Sequence, residues 1–133
     1  MTRFNRIHKA SPEYDLYKAV ATYLRLQYPY VLYHFDPTGL SLTKTQAGKL
    51  KAIQGGSGYP DLFIMEPKGR YHGLFIEIKP EGTRLRKKNG EPASDHIFTQ
   101  FTYCNELRKK GYHATVCVGY DEIKKIIDKY MNQ

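Results

Sequence analysis

The sequence lacks several features that would mark it as a membrane or secreted protein. No apolar run approaches the roughly 18 residues that a membrane-spanning helix needs. Residues 1–9 are polar and basic, without the apolar stretch of a secretory signal. Only two cysteines occur, Cys104 and Cys117, and their spacing matches no zinc motif. We therefore expect an intracellular, cytoplasmic protein with reduced, buried thiols and no membrane contact.

Acidic residues are also scarce. Thirteen Asp and Glu stand against twenty-one Lys and Arg, which gives a formal net charge of +8. Such a surplus favours a polyanionic partner, most commonly a nucleic acid. The 133 residues are 41% hydrophobic, which predicts one globular domain spanning residues 1–133.

The order of predicted elements indicates an α/β protein. Ser11-Pro12 is typical of a helix start, and Pro29 ends that helix near Tyr28. Further along we predict a strand at 30–35, turn chemistry at 36–39, and a polar loop at 40–58 with room for one short helix. Strands at 61–66 and 73–79 form an antiparallel hairpin, and a basic loop at 80–94 leads to a helix ending near Gly111. A strand at 114–118 and a helix at 121–130 complete a mixed central sheet flanked by helices.

Charged residues interrupt the apolar strand at 73–79. The alternation of strand side chains puts Phe75, Glu77 and Lys79 on one face. Charges inside a covered sheet are costly unless they pair with each other or with a metal. A buried Glu–Lys ion pair or a frayed strand end is the alternative explanation.

Asp61 opens the strand before it. In a hairpin the start of one strand lies beside the end of the next, so Asp61 is expected near Glu77 and Lys79. Two facing carboxylates repel each other, and a divalent cation between them removes the repulsion. The alternative is an aspartate that only caps a turn after Pro60.

Two further polar residues fall on predicted apolar helix faces. Glu13 projects from the buried face of the first helix, whereas Asp15 points to solvent. Gln100 shares the apolar arc of the later helix, where its amide could orient a water or a carboxylate. Stabilisation of the helix dipole is the alternative for Glu13, and a core glutamine bonded to the backbone is the alternative for Gln100.

These residues, in this order, resemble the signature of the PD-(D/E)xK nuclease superfamily, and more narrowly of the VRR-NUC family of virus-type replication–repair nucleases. The matching residues are Glu13, Pro60-Asp61, Glu77-Ile78-Lys79, Gln100 and Gly111-Tyr112. The resemblance implies a restriction-endonuclease-like core that uses Mg²⁺ or Mn²⁺. It implies that Asp61, Glu77, the carbonyl of Ile78 and Glu13 hold the metal. Lys79 would act on the attacking water or the phosphate, with Gln100 in support.

The resemblance also implies a substrate. We expect an endonuclease acting on branched DNA such as four-way (Holliday) junctions, working as a homodimer inside a bacterial or phage-infected host. A flap or nicking repair nuclease is the enzymatic alternative, and an inactive basic DNA-binding protein is the other. An interface could use aromatic residues that are equally explained as core: Tyr23, Tyr28, Tyr30, Tyr33 and Phe35.

The loop at 80–94 is longer than in many relatives and carries four cations. Arg84, Arg86, Lys87 and Lys88 are expected to contact DNA phosphates, with Lys49 and Lys51 as further candidates. A solvated, mobile loop is the alternative. The five histidines have no metal spacing, and we interpret them as structural or surface residues, His34 least firmly.

Overall fold

Helices cover both faces of a four-stranded sheet in the computed structural model, which describes residues 12–37, 40 and 42–133. The elements run in the order α1 (Pro12–Gln27), β1 (Tyr33–Phe35), α2 (Lys44–Ile53), β2 (Leu62–Ile64), β3 (Leu74–Lys79), α3 (Asp95–Lys109), β4 (His113–Val118) and α4 (Tyr120–Met131). The predicted α/β class with a mixed sheet is therefore confirmed.

The sheet has the order β1-β2-β3-β4. Its first three strands are antiparallel, and β4 runs parallel to β3 after the α3 crossover. Leu62 pairs with Ile76, which confirms the predicted hairpin between β2 and β3. Because side chains alternate along a strand, those of β3 enter two hydrophobic cores, one on each face of the sheet.

One face of the sheet packs against α1 and α4. Its core contains Ile76 and Ile78 of β3 together with Val20 and Leu24 of α1, all buried. On the other face, Phe75 packs with Cys104 of α3 and with β4. Because both faces are covered, a charge on β3 is held away from bulk water.

Two predicted strands are shorter than expected. The segment predicted at 30–35 pairs only from Tyr33, because the chain leaves α1 through a turn in which Tyr30 is 95% exposed. The strand predicted at 61–66 is limited to Leu62–Ile64. Beyond Ile64, the link to β3 forms a tight turn of its own, with Lys68 and Tyr71 bridging each other.

The polar segment predicted as a loop contains α2, a ten-residue helix. A capping box starts it: the Thr43 side chain accepts from the Gln46 backbone N–H at 3.1 Å, and the Thr43 N–H donates to the Gln46 side chain at 3.0 Å. None of its residues is buried. The sequence left room for one short helix here but did not define its bounds, because the apolar periodicity that predicts helices reflects burial.

The end of α3 agrees with the prediction. Gly111 has φ +93°, and the Tyr112 N–H donates back to the Leu107 carbonyl at 3.1 Å. A β-carbon at Gly111 would lie 2.6 Å from the His72 ring, so a side chain there meets both strain and a clash. The predicted cap Ser11, residues 38 and 39 of the predicted turn, and His8 lie outside the described residues.

Cys104 and Cys117 are buried and free, as predicted. Across the described ranges, no helix has the length and apolar character to span a membrane.

Candidate active site

Three buried carboxylates lie on neighbouring strands at one end of the sheet. The register that pairs Leu62 with Ile76 places Asp61 beside Glu77. The backbone N–H of Asp36, which follows β1, donates to the carbonyl of Asp61 at 2.8 Å. Asp36, Asp61 and Glu77 are only 5%, 6% and 4% exposed. The antiparallel ladder thus gathers acids that are far apart in the sequence.

Asp61 is held by two hydrogen bonds. Its Oδ2 accepts from the backbone N–H of Ile78 at 2.8 Å, and the hydroxyl of Tyr17 on α1 also bonds its side chain. Burial raises the pKa of Asp61, and these two hydrogen bonds act in the opposite direction. Asp61 therefore does more than cap the turn after Pro60, because its carboxylate connects β2 to β3 and α1.

Glu77 has one engaged oxygen and one without a partner. Oε1 accepts from Gln100 Nε2 at 2.6 Å and lies 3.7 Å from Lys79 Nζ. Oε2 is buried and has no hydrogen-bond partner among the described residues. Burial, followed by the negative charge of Asp61, raises the pKa of Glu77 to about 9, and Lys79 opposes the shift. The charge of Lys79 therefore lowers the pKa of Glu77 by less than burial and the charge of Asp61 raise it.

Gln100 lies on α3 and faces this pair. It is 4% exposed, and its Nε2, which donates to Glu77, is 3.2 Å from Nε2 of His96 one turn earlier. The expected alternative was a glutamine satisfied by the backbone. Instead its nitrogen contacts side chains, and its Oε1 is buried without a partner in the described part of the chain.

Glu13 is half-buried on α1 and is less enclosed than its helical angle predicted. Its negative charge adds to the effects that raise the pKa of Glu77. Asp15 is exposed, as expected.

A cleft of about 370 Å³ brings the predicted site residues together. Its lining includes Glu13, Asp61, Glu77, Ile78, Lys79 and Gln100, which are the six predicted catalytic and metal-site positions. On one side α2 contributes Lys51, and the glycine-rich segment that follows it contributes Gly56 and Gly58.

The other predicted DNA-binding residues lie outside the cleft lining. Lys49 is on α2 but not in the lining, and none of the four cations of the loop at 80–94 belongs to it. Lys51 is therefore the only predicted DNA-binding residue that lines this cleft.

The loop is held by internal hydrogen bonds over residues 84–93, here called the basic ribbon. The N–H of Lys87 donates to Glu91 at 2.8 Å, and the N–H of Ala93 donates to Leu85 at 2.9 Å. Arg86 donates to the Gly90 carbonyl at 2.8 Å, and its guanidinium lies 4.8 Å from the centre of the Phe101 ring on α3. Arg86 is therefore occupied in holding the ribbon against α3.

Comparison with known proteins agrees with this geometry. No family model and no curated protein matches the sequence. A solved structure described as a VRR_NUC domain protein superposes with a TM-score of 0.67 and 28% sequence identity, covering 93% of this chain and 91% of that one. This likeness in sequence and fold supports the resemblance to the VRR-NUC family.

The donor set of the cleft is suited to a hard divalent cation. Asp61 and Glu77 supply carboxylate oxygens, the preferred ligands of Mg²⁺ and Mn²⁺. The orphaned Oε2 of Glu77 and the mutual repulsion of the pair are defects that a cation would remove. Within the described ranges, no group of three or more His, Cys, Asp or Glu side chains has metal-binding geometry. A site here thus depends on two carboxylates with added main-chain or water oxygens.

Three residues of the cleft were not predicted from the sequence. Asp36 was assigned to a turn, although its position directly after a strand could have placed it beside Asp61. Tyr17 and His96 also line the cleft, but each falls on a helix with nothing local to distinguish it. His34, the histidine that we assigned least firmly, is exposed on β1 and is not part of the lining.

The repulsion between Asp61 and Glu77 predicts that the metal-free protein is destabilised by its own site. In EDTA at pH 8, Glu77→Gln should raise the free energy of unfolding by about 1 kcal/mol or more, because one pKa unit corresponds to about 1.4 kcal/mol. The raised pKa means that folding takes up a proton above the unfolded pKa, so the gain should shrink towards pH 5. Urea unfolding at both pH values measures it.

Glu106→Gln is the matched control, since Glu106 is exposed and paired only with Lys109. Its effect should stay within about 0.5 kcal/mol. Equal changes in the two variants, or a clear loss of stability in Glu77→Gln, would contradict the repulsion.

Proposed function

We propose that this chain is a Mg²⁺- or Mn²⁺-dependent endonuclease that hydrolyses the phosphodiester backbone of DNA, as one domain spanning residues 1–133. Nuclease activity is what the likeness to a VRR_NUC domain protein implies. The observation that carries the metal-dependent form is the buried Asp61–Glu77 pair with its unpartnered Oε2.

Asp61, Glu77 and the carbonyl of Ile78 are the groups that would hold the cation, with Glu13 close enough to the cleft to assist. When bound, such an ion polarises a phosphate oxygen and lowers the pKa of a bound water. Hydrogen bonds within the protein already orient these carboxylate oxygens. The Ile78 N–H and Tyr17 orient Asp61, and Gln100 fixes one oxygen of Glu77.

Lys79 supplies the positive charge of the site. Its side chain is 13% exposed and its Nζ is 3.7 Å from Glu77 Oε1, so it lies at the cleft with limited freedom. From there the ammonium can hold the attacking water or stabilise the charge that develops on the phosphate. Glu77 and Lys79 are two residues apart on β3, so their side chains lie on the same face of the sheet.

The DNA path is proposed from the remaining cations. Lys51 lies on the cleft wall, and the basic ribbon against α3 carries further positive charge outside the cleft. Arg84 binds within the ribbon through Nε, which donates to the Arg86 carbonyl at 2.9 Å. Lys87 and Lys88 have exposed side chains without a carboxylate partner in the described chain. These two lysines, with Arg84, are the ribbon cations best able to reach phosphates.

We further propose branched DNA, such as a four-way junction, as the substrate and a homodimer as the working form. Two symmetric strands require two sites related by a two-fold axis. Four of the five aromatic residues considered for an interface pack against the core, and only Tyr30 is strongly exposed. Beside it, Leu32 and Met65 are also exposed at the edge strand β1, an apolar edge that a second copy could cover.

The catalytic assignment predicts that substitutions in the site slow DNA cleavage without weakening DNA binding. With MgCl₂, Asp61→Asn and Lys79→Ala should each slow DNA cleavage at least about 100-fold, on the order of 3 kcal/mol of barrier, while duplex binding changes little. EDTA should stop cleavage by the unmodified chain. Plasmid nicking measures the rate, and filter binding measures the affinity.

Asp15→Asn is the matched control for these variants, because Asp15 lies on the exposed face of α1. It should cleave at the normal rate. Cleavage that survives EDTA, or an Asp61→Asn rate within about tenfold of normal, would refute the metal site. Normal folding with DNA binding but no cleavage in any divalent metal would favour the inactive DNA-binding alternative.

The basic ribbon predicts a change in salt dependence. Replacing Arg84, Lys87 and Lys88 with Ala in an Asp61→Asn background should flatten the slope of log affinity against log salt by about 2 to 3 units. Arg86 is kept because it anchors the ribbon. Fluorescence anisotropy with a labelled duplex at several salt concentrations gives the slope.

A control set removes three exposed cations outside the ribbon and the cleft, namely Lys109, Lys110 and Lys125. A smaller change is expected there. If the ribbon variant leaves the slope unchanged, the DNA passes elsewhere, and Lys49 and Lys51 become the next candidates.

The junction proposal predicts a dimer in solution. Light scattering at micromolar concentration should give twice the 15.4 kDa chain mass, and a four-way junction should be cut symmetrically. Leu32→Lys should reduce both the mass and junction cutting, whereas Phe98→Lys, an exposed apolar position on α3, should change neither. A monomer that cuts flaps or nicks duplex DNA better than junctions would favour the repair-nuclease alternative.

A further inference from the structure

A second cavity lies near the opposite end of β3 from the active cleft. It has a volume of about 400 Å³ and is lined by Arg70, Tyr71, Arg108 and residues 111–114. The first pair of the β3–β4 ladder joins Leu74 to His113, whereas Lys79 ends β3 at the cleft. Five steps of strand separate these ends by about 16 Å. The cavity is therefore distinct from the candidate active site.

This cavity carries positive charge that the described chain does not neutralise. Its lining contains no acidic side chain. Neither Arg70 nor Arg108 forms an ion pair with a described carboxylate. An arginine has five N–H donors, so one or two internal hydrogen bonds leave most of them available.

The two arginines are nevertheless held in place. Arg108 donates through Nε to the Ala114 carbonyl at 2.8 Å, which ties the end of α3 to β4. Arg70 donates to the Tyr71 hydroxyl at 3.3 Å, and its guanidinium lies 5.3 Å from the centre of that ring. Two oriented guanidinium groups without a carboxylate partner in the described chain are suited to an oxyanion that accepts several hydrogen bonds at once.

The potential in the cavity is also positive. His113, the first residue of β4, lies in its lining. The centroids of the His113 and Tyr71 rings are 5.1 Å apart. Burial, followed by the charges of Arg108 and Lys129, lowers the pKa of His113. The cavity therefore disfavours a further cation, and an anion would relieve the repulsion between its existing charges.

We propose that this cavity binds a phosphate monoester carried by a nucleotide or by the end of a nucleic acid. Arg70 and Arg108 hold the phosphate, and the rings of Tyr71 and Tyr112 contact the attached sugar or base. The volume falls in the range of small-molecule sites, about 300 to 1,000 Å³. This site needs no metal, and its existence does not depend on the proposed nuclease function.

Calorimetric titration of the Asp61→Asn variant in EDTA tests the site, because metal-linked binding at the cleft is then removed. The probes are inorganic phosphate and 5′-dAMP, and we expect 5′-dAMP to bind the more tightly. Arg70→Gln with Arg108→Gln should weaken 5′-dAMP binding at least about tenfold. Lys109→Gln, next to Arg108 but paired with Glu106, should leave it unchanged.

Arg108 also supports β4, so its loss could unfold the chain. The single variant Arg70→Gln avoids this problem, because Arg70 is exposed and makes no bond to the core. It should still weaken 5′-dAMP binding several-fold with an unchanged melting temperature. No binding of either probe at millimolar concentration, or binding insensitive to Arg70→Gln, would overturn the proposal.

Two oligonucleotides separate the sources of the phosphate. A 5′-phosphorylated single strand that binds more tightly than its 5′-hydroxyl form, in an Arg70-dependent manner, identifies a nucleic-acid end. Arg70-dependent binding of 5′-dAMP, with no difference between the two strands, identifies a free nucleotide. Both outcomes support the phosphate site, and neither uses cleavage as its readout, so a failure of the nuclease proposal remains a separate result.

Discussion

The hydrogen bond from the Ile78 N–H to the Asp61 carboxylate is the contact on which the active cleft depends. It joins residues 17 positions apart, and it exists because β2 pairs with β3 in one register. That register also buries Leu62 and Ile64 in the core. A slip by one residue would move the Leu62 and Ile64 side chains to the other face of the sheet and carry Asp61 away from Glu77. The apolar packing that stabilises the fold therefore also specifies the geometry of the carboxylates, and the two cannot vary independently.

The charge distribution has two parts with different roles. The chain as a whole is basic, with a net charge of +8, which suits a polyanion. Inside the cleft, buried carboxylates are collected at one end of the sheet. Burial raises the pKa of both Asp61 and Glu77, and the charge of Asp61 raises the pKa of Glu77 further. Such a site costs stability in the absence of a counter-ion, as functional sites commonly do. A basic surface attracts polyanions over a distance, while the buried acids interact only with what enters the cleft.

The sequence was sufficient to predict site residues where charged side chains interrupt an apolar pattern. Glu77 and Lys79 stand out because strand periodicity places charges in a covered sheet, and the short hairpin link brings Asp61 to them. It was insufficient where the deciding contacts are distant or polar. Asp36 follows an edge strand with only three paired residues, and local turn chemistry outweighed its neighbour across the sheet. Arg86 looked like a free cation because its partner, Phe101, lies on another element. Likewise, α2 has no buried face from which a period could be read.

The helix α2 has a dynamic consequence. It contributes a wall of the cleft, yet no residue of it is buried, so tertiary packing adds little to its stability. A ten-residue helix in water is marginal on its own, and only its capping box and its intrinsic propensity oppose unwinding. Its amide protons should thus exchange with solvent far faster than those of β3, whose strand is enclosed on both faces. Access to the cleft is then governed by local helix–coil equilibrium on one side, while the opposite side, built on the sheet, stays rigid.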